Sequence, residues 1–197
     1  MNWICDNWIE IVGAILAFIY LLLQVKQNWI MWIACLVSAV FYVYIFWTNH
    51  LYAMTTLYLY FGLMSIYGIY CWKFAKNKEN KNLDFHYISA SMWVKILAVS
   101  ALIFGIMLFV LWKVPDSPFP IMESLIAALS IVATWMVAQK IIECWYIWIF
   151  VDALSVVMYS YQKLYPTAIL FFCYTIMSVI GLMEWRKSKK KAYDSPT

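Results

Sequence analysis

The sequence predicts an all-α integral membrane protein of seven transmembrane helices. Of its 197 residues, 66% are hydrophobic and 12% charged, where a soluble domain carries roughly 45–50% and about 25%. The apolar residues gather into seven runs, each near the roughly 20 residues that span a hydrocarbon core of about 30 Å. These runs lack the strict alternation of β-barrel strands. With 20% aromatic residues and only 5 glycines, the composition also excludes a soluble monomer, a disordered chain and a secreted disulfide scaffold.

The first span, Trp8 to Val25, follows Asp6 and contains Glu10 where a cleaved signal peptide would carry a basic region, so it reads as a retained helix. Lys26-Gln27-Asn28 turns the chain into a second span, Trp29 to Trp47, and Thr48-Asn49-His50 into a third, Leu51 to Trp72. Residues 73–93 form the one long break and read as a cytoplasmic loop. Val94 to Trp112 is a fourth span, closed by Pro115, Pro118 and Pro120 before a fifth, Phe119 to Ala138. Gln139-Lys140 and Gln162-Lys163 then force tight hairpins around a sixth span, Ile141 to Tyr161, and a seventh, Leu164 to Trp185. Residues 186–197 read as a basic cytoplasmic tail, and residues 1–197 as one membrane domain.

Basic residues are retained on the cytoplasmic side, and their distribution predicts the N-terminus outside and the C-terminus in the cytoplasm. That orientation puts Lys26, Lys73, Lys76, Lys78, Lys81, Lys95, Lys140, Arg186, Lys187, Lys189, Lys190 and Lys191 inside, and only Lys113 and Lys163 outside. The net charge of +4 is thus a topology signal and an attraction to anionic lipid, with no nucleic-acid partner expected. The five cysteines include no C-x-x-C pair, and His50 and His86 have no partners at metal-ligand spacing. No metal and no cofactor are expected.

The chain also resembles itself. Trp29-x-x-Trp32-Ile33, Leu51-Tyr52, Met64-Ser65, Gly68 and Trp72 return as Trp145-x-x-Trp148-Ile149, Leu164-Tyr165, Met177-Ser178, Gly181 and Trp185. From Leu51 onward the offset is 113 residues, as it is between Glu10 and Glu123, while the Trp pairs align at 116. Residues 8–72 and 119–185 are therefore expected to be two three-helix repeats joined by the linker helix 94–112. Four spans separate equivalent points, so the repeats run parallel, an arrangement that builds permeases with the site between repeats near the midplane.

The sixth span holds the most informative chemistry. Trp145, Trp148, Asp152, Ser155 and Tyr159 share one helical face. An ionised carboxylate at mid-span costs roughly 2.5–3.5 kcal/mol on an insertion scale, so Asp152 should face the bundle interior and find a partner there. No basic residue lies at that depth in another span, which leaves a cationic ligand as the candidate partner. Two indoles beside a carboxylate suit a flat, positively charged heteroaromatic ring, through stacking or cation–π attraction. The structural alternative makes Trp145 an interfacial anchor, Trp148 a packing residue and Asp152 an acid bonded to a hydroxyl. Thr55, Thr56 and Tyr58 on the third span, with Thr175 and Ser178 on the seventh, are candidates to line a polar path or to bond between helices. No phosphate-binding loop, HExxH or Ser/His/Asp set is present in the sequence.

Trp8-Ile9-Glu10 with Gly13, Leu51-Tyr52-Ala53, Tyr67-Gly68-x-Tyr70-x-Trp72, Lys140-x-x-Glu143-x-Trp145-x-x-Trp148-x-x-x-Asp152 and Leu164-Tyr165 together resemble the PnuC family of bacterial vitamin transporters over nearly the whole chain. The resemblance implies a bundle similar to the SWEET sugar transporters. It also implies facilitated diffusion of an unphosphorylated vitamin that a cytoplasmic kinase then traps, with Trp145, Trp148 and Asp152 as the recognition set. Nicotinamide riboside is the family's default substrate, and one branch carries thiamine. Members read as nicotinamide riboside carriers often have Asn where this chain has Asp152, and a carboxylate offers acceptors only, which favours a cationic ligand rich in donors. Both substrates stay open, as does association of copies into a homo-oligomer. A non-transporting membrane scaffold is the rival reading from another class. An intramembrane enzyme would need a second convergent acid, base or nucleophile.

Overall fold

The structure is a computed structural model that describes residues 8–48, 52–74, 85–113 and 119–194, all but short ends and connections. Among these residues are seven helices: α1 (Trp8–Val25), α2 (Met31–Thr48), α3 (Tyr52–Lys73), α4 (Ala90–Trp112), α5 (Pro120–Ala138), α6 (Cys144–Tyr161) and α7 (Tyr165–Asp194). Each matches an expected span. Four regions, in α4, α5, α6 and the Thr167–Lys191 stretch of α7, are long and apolar enough by themselves to cross a membrane. The readings of Cys5, His50, Leu51, Pro115 and Pro118, and those of the Glu10, Gly13, Tyr52 and Ala53 side chains, lie outside the described residues.

Two helix bounds differ from expectation. α4 starts at Ala90, inside the expected loop, because the Ser89 hydroxyl accepts a 3.4 Å hydrogen bond from the Met92 amide and caps it. α7 continues to Asp194, through the expected tail, since Lys, Arg and Ala are strong helix formers and the first breaker is Pro196.

The chain divides into two compact units, residues 1–83 and 84–197. In the first, α2 packs on both α1 and α3; in the second, α4 packs on α5, α5 on α6 and α6 on α7. Within each unit, helices adjacent in sequence are therefore neighbours in space, as short hairpins require. Val94, Leu97, Val99, Leu102, Ile106 and Phe109 of α4 are all exposed, a surface suited to lipid and not to water.

Three hairpins close with the same device. Gln27, Lys140 and Lys163 each adopt a left-handed backbone, with φ of 59°, 58° and 61°. At the end of α5, the Lys140 amide bonds to the Val137 carbonyl and the Ile141 amide reaches back to Met136, a Schellman closure; α1 and α6 end alike. Glycine ordinarily occupies this position, and none of these three turns has one.

Each unit also contains one close helix crossing. A Cβ on Gly68 would lie 2.2 Å from the Trp32 ring, and a Cβ on Gly181 would lie 2.4 Å from the Trp145 ring. Trp32 meets Trp72 edge-to-face at 6.3 Å, and Trp145 meets Trp185 in the same way at 5.3 Å. This corrects the register of the Trp pairs. Trp145 takes the place of Trp32 and not of Trp29, so the offset there is 113 rather than 116: the notch left by glycine on the facing helix, not the local Trp-x-x-Trp spelling, decides which indole is equivalent. The same offset puts Cys35 in the place of Trp148 and Ala39 in the place of Asp152, so the first unit has no acid at that position.

Candidate functional site

The site grows from the α6–α7 pair. α6 follows the Schellman turn at Lys140 and buries Trp145, Ile147, Val151, Asp152, Ser155 and Met158, while Tyr146, Phe150 and Val157 face outward. The helical face expected from spacing is thus the inward one. α7 runs antiparallel against it, and three cross-helix pairs recur every seven residues: Trp145 with Trp185, Asp152 with Ser178, and Tyr159 with Phe171. A seven-residue step rises about 10.5 Å along a helix, so one polar pair lies between two aromatic ones.

At the polar pair, the Ser178 hydroxyl donates a 2.9 Å hydrogen bond to Asp152 Oδ2, with Asp152 5% and Ser178 1% exposed. A carboxylate accepts several hydrogen bonds, and this one leaves most of its capacity unused. The structure gives Asp152 no cationic side-chain partner among the described residues. Beyond it, Tyr159 and Phe171 stack at 5.2 Å and 25°, and Tyr174 meets Phe171 edge-to-face at 5.6 Å.

The two indoles differ. Trp145 is 0% exposed, seated in the Gly181 notch and against Trp185, so it packs the helix pair and offers no open ring face. Trp148, one turn before Asp152, is half-buried, and its Nε1 is buried with no hydrogen-bond partner among the described residues. The Nε1 atoms of Trp32 and Trp145 are buried without a partner too, so it is the position of Trp148, four residues before Asp152 on α6 and less buried than Trp145, that makes it the candidate contact.

The hydroxyls mostly serve their own helices. Ser155 donates to the Val151 carbonyl at 2.8 Å and Thr175 to that of Phe171 at 2.9 Å, the usual back-bonding of such residues in apolar helices. Thr55, Thr56 and Tyr58 belong to the first unit, where Thr55 is buried, Thr56 exposed, and Tyr58 packs on Tyr42 at 4.7 Å and edge-to-face on Phe61 at 5.7 Å. Phe171 was not singled out in the sequence. Its place in the seven-residue series with Ser178 and Trp185 is the signal that would have found it. No group of three His, Cys, Asp or Glu side chains among the described residues is arranged to hold a metal ion.

The described residues form an all-helical bundle with apolar, membrane-length helices, and the family to which the chain belongs makes it a membrane transporter. The chain belongs to the nicotinamide mononucleotide transporter family, whose profile matches residues 7–187. It is 24% identical over 210 residues to the nicotinamide riboside transporter PnuC of Escherichia coli strain K12, covering 94% of this chain and 87% of that protein. The nicotinamide riboside transporter PnuC of Neisseria mucosa is 22% identical over 199 residues, 94% of this chain and 74% of its own. Among solved structures, the crystal structure of the vitamin B3 transporter PnuC matches with a TM-score of 0.72 at 21% identity, covering 94% of this chain and 83% of that one. That last likeness is one of fold.

Proposed function

We propose that this chain carries nicotinamide riboside across the bacterial cytoplasmic membrane by facilitated diffusion. The observation that carries the reading is the Asp152–Ser178 pair, set between aromatic layers with the unpartnered Trp148 Nε1 one turn away. The ring of the vitamin is cationic, flat and aromatic, so it stacks on Trp148 and gains from a nearby carboxylate. Ribose hydroxyls donate to Asp152, and Trp148 Nε1 donates to an oxygen of the ligand. Trp145 supports this arrangement by packing. Tyr159 and Thr175 are proposed to line the route beside Asp152 on α6 and α7. The relatives named nicotinamide riboside transporters support this substrate.

Asp152 favours thiamine as a second reading, because its carboxylate only accepts hydrogen bonds and the amino-substituted ring of thiamine supplies donors and charge. Equilibrium binding of each vitamin to the purified protein, wild type beside Asp152→Asn, separates the two. Nicotinamide riboside binding that persists in both supports the first reading; thiamine binding that weakens in the variant overturns it. A cytoplasmic kinase trapping the product and the N-terminus outside complete the proposal. Labelling of single cysteines at Lys163 and Lys191 from outside intact cells tests the orientation, with only the former reacting.

A further inference from the structure

Besides Asp152, the buried acidic side chain among the described residues is Glu143, which is 8% exposed and directly precedes α6. An acid at a helix start ordinarily turns back to bond the free amides of its own first turn. Glu143 makes no such bond. Its Oε1 instead accepts a 3.0 Å hydrogen bond from the amide of Ile88, 55 residues upstream, and its Oε2 is buried with no hydrogen-bond partner among the described residues. Burying a carboxyl group with one backbone amide as its partner carries a desolvation cost that the single bond offsets only in part.

Ile88 lies in a short strap, residues 85–89, that leads into α4. The His86 amide bonds to the Lys140 carbonyl at 3.2 Å and the Ile142 amide to the His86 carbonyl at 3.1 Å, so the strap lies parallel to the α5–α6 turn as an isolated bridge. Phe85 packs on Trp185 at 4.6 Å, and Lys189 stands 3.9 Å over Tyr87. The strap therefore touches the starts of α4 and α6 and the end of α7. Phe85, Trp185 and Trp145 form a continuous line of rings into the α6–α7 interface.

We propose that Glu143 is a positioning residue for transport, latching the strap to the head of α6 and so fixing the rotation of the helix that presents Trp148 and Asp152. It acts through α6 and does not touch the substrate. Two bridge bonds, the Phe85–Trp185 contact, and Lys140 and Lys189 over Phe85 and Tyr87 also secure the strap; the Glu143 carboxylate ties it to the residue that directly precedes α6. The inference rests on the binding reading given above, and its test includes a measurement that needs no substrate.

Amide hydrogen exchange and vitamin binding are measured on the full-length protein as wild type, Glu143→Gln, Glu143→Ala and Ile88→Pro. Glu143→Ala should speed exchange across residues 86–88 and 142–148 about tenfold and weaken binding by a similar factor, because one charge-assisted bond is lost. Glu143→Gln keeps an acceptor and should stay within about threefold of wild type on both measures. Ile88→Pro removes the donor and leaves the acid in place; it should reproduce Glu143→Ala, and the double variant should add nothing. It also carries the test where Glu143→Ala does not accumulate. Unchanged exchange at 142–148, additive losses in the double variant, or faster exchange with undiminished binding would each overturn the proposal. Should wild type bind neither vitamin, the substrate reading fails while the exchange comparison alone decides the latch.

Discussion

The Ser178 hydroxyl donates to Asp152 Oδ2 across the α6–α7 interface, and both residues are almost fully buried. The bond orients the carboxylate while leaving its other lone pairs available, which separates the roles of the two side chains. Asp152→Ala should abolish measurable vitamin binding. Ser178→Ala should weaken it by about 1 kcal/mol, the loss of one orienting hydrogen bond, as read by titration calorimetry. Equal losses in the two variants would show that Ser178 itself contacts the ligand.

The two indoles of α6 should separate by assay. Replacing Trp148 with Ala should weaken binding by about 1–3 kcal/mol, the range for a base stacked on an aromatic side chain, with little change in melting temperature. Replacing Trp145, which is fully buried, should instead cost about 3–5 kcal/mol of stability. Thermal unfolding in detergent beside binding isotherms reads both.

Alanine at Gly181 or Gly68 would put a methyl group inside the facing indole, so each should destabilise its unit by about 1–3 kcal/mol. Gly105→Ala meets nothing within 4 Å and should stabilise α4 by about 0.5–1 kcal/mol, which makes it the control. A Gly181→Ala protein that melts like wild type would refute the close crossing.

Lys163 occupies a left-handed position after α6 with φ of 61° and is exposed. A side chain there costs roughly 1–2 kcal/mol that glycine does not incur. Lys163→Gly should therefore raise the melting temperature, and Lys163→Val should lower it, since a β-branched residue tolerates this backbone worst.

The helices were legible because bilayer-length apolar runs separated by short polar breaks leave little freedom in where a helix lies. The inward face of α6 was legible too, since Trp145, Asp152 and Ser155 repeat at helical spacing and all three are buried. Asp152 and Ser178 were each visible as polar residues in apolar surroundings, but their pairing depends on the register of two helices 26 residues apart in sequence. The Trp register was misread because two Trp-x-x-Trp strings look alike, whereas equivalence is decided by Gly68 and Gly181 on the partner helices. Glu143 was quoted only within a motif. Nothing in the sequence shows that its carboxylate bonds to an amide 55 residues away.

The indole of Trp145 lodged against the bare backbone of Gly181 has a mechanical consequence. A ring seated in a notch resists both sliding and twisting, because a closely packed interface has no neighbouring state of similar energy to slip into. α6 and α7 then act as a single stiff lever. Asp152 and Ser178 are fixed on its two arms, so the proposed transport cycle is expected to leave their bond intact and to bend the chain elsewhere.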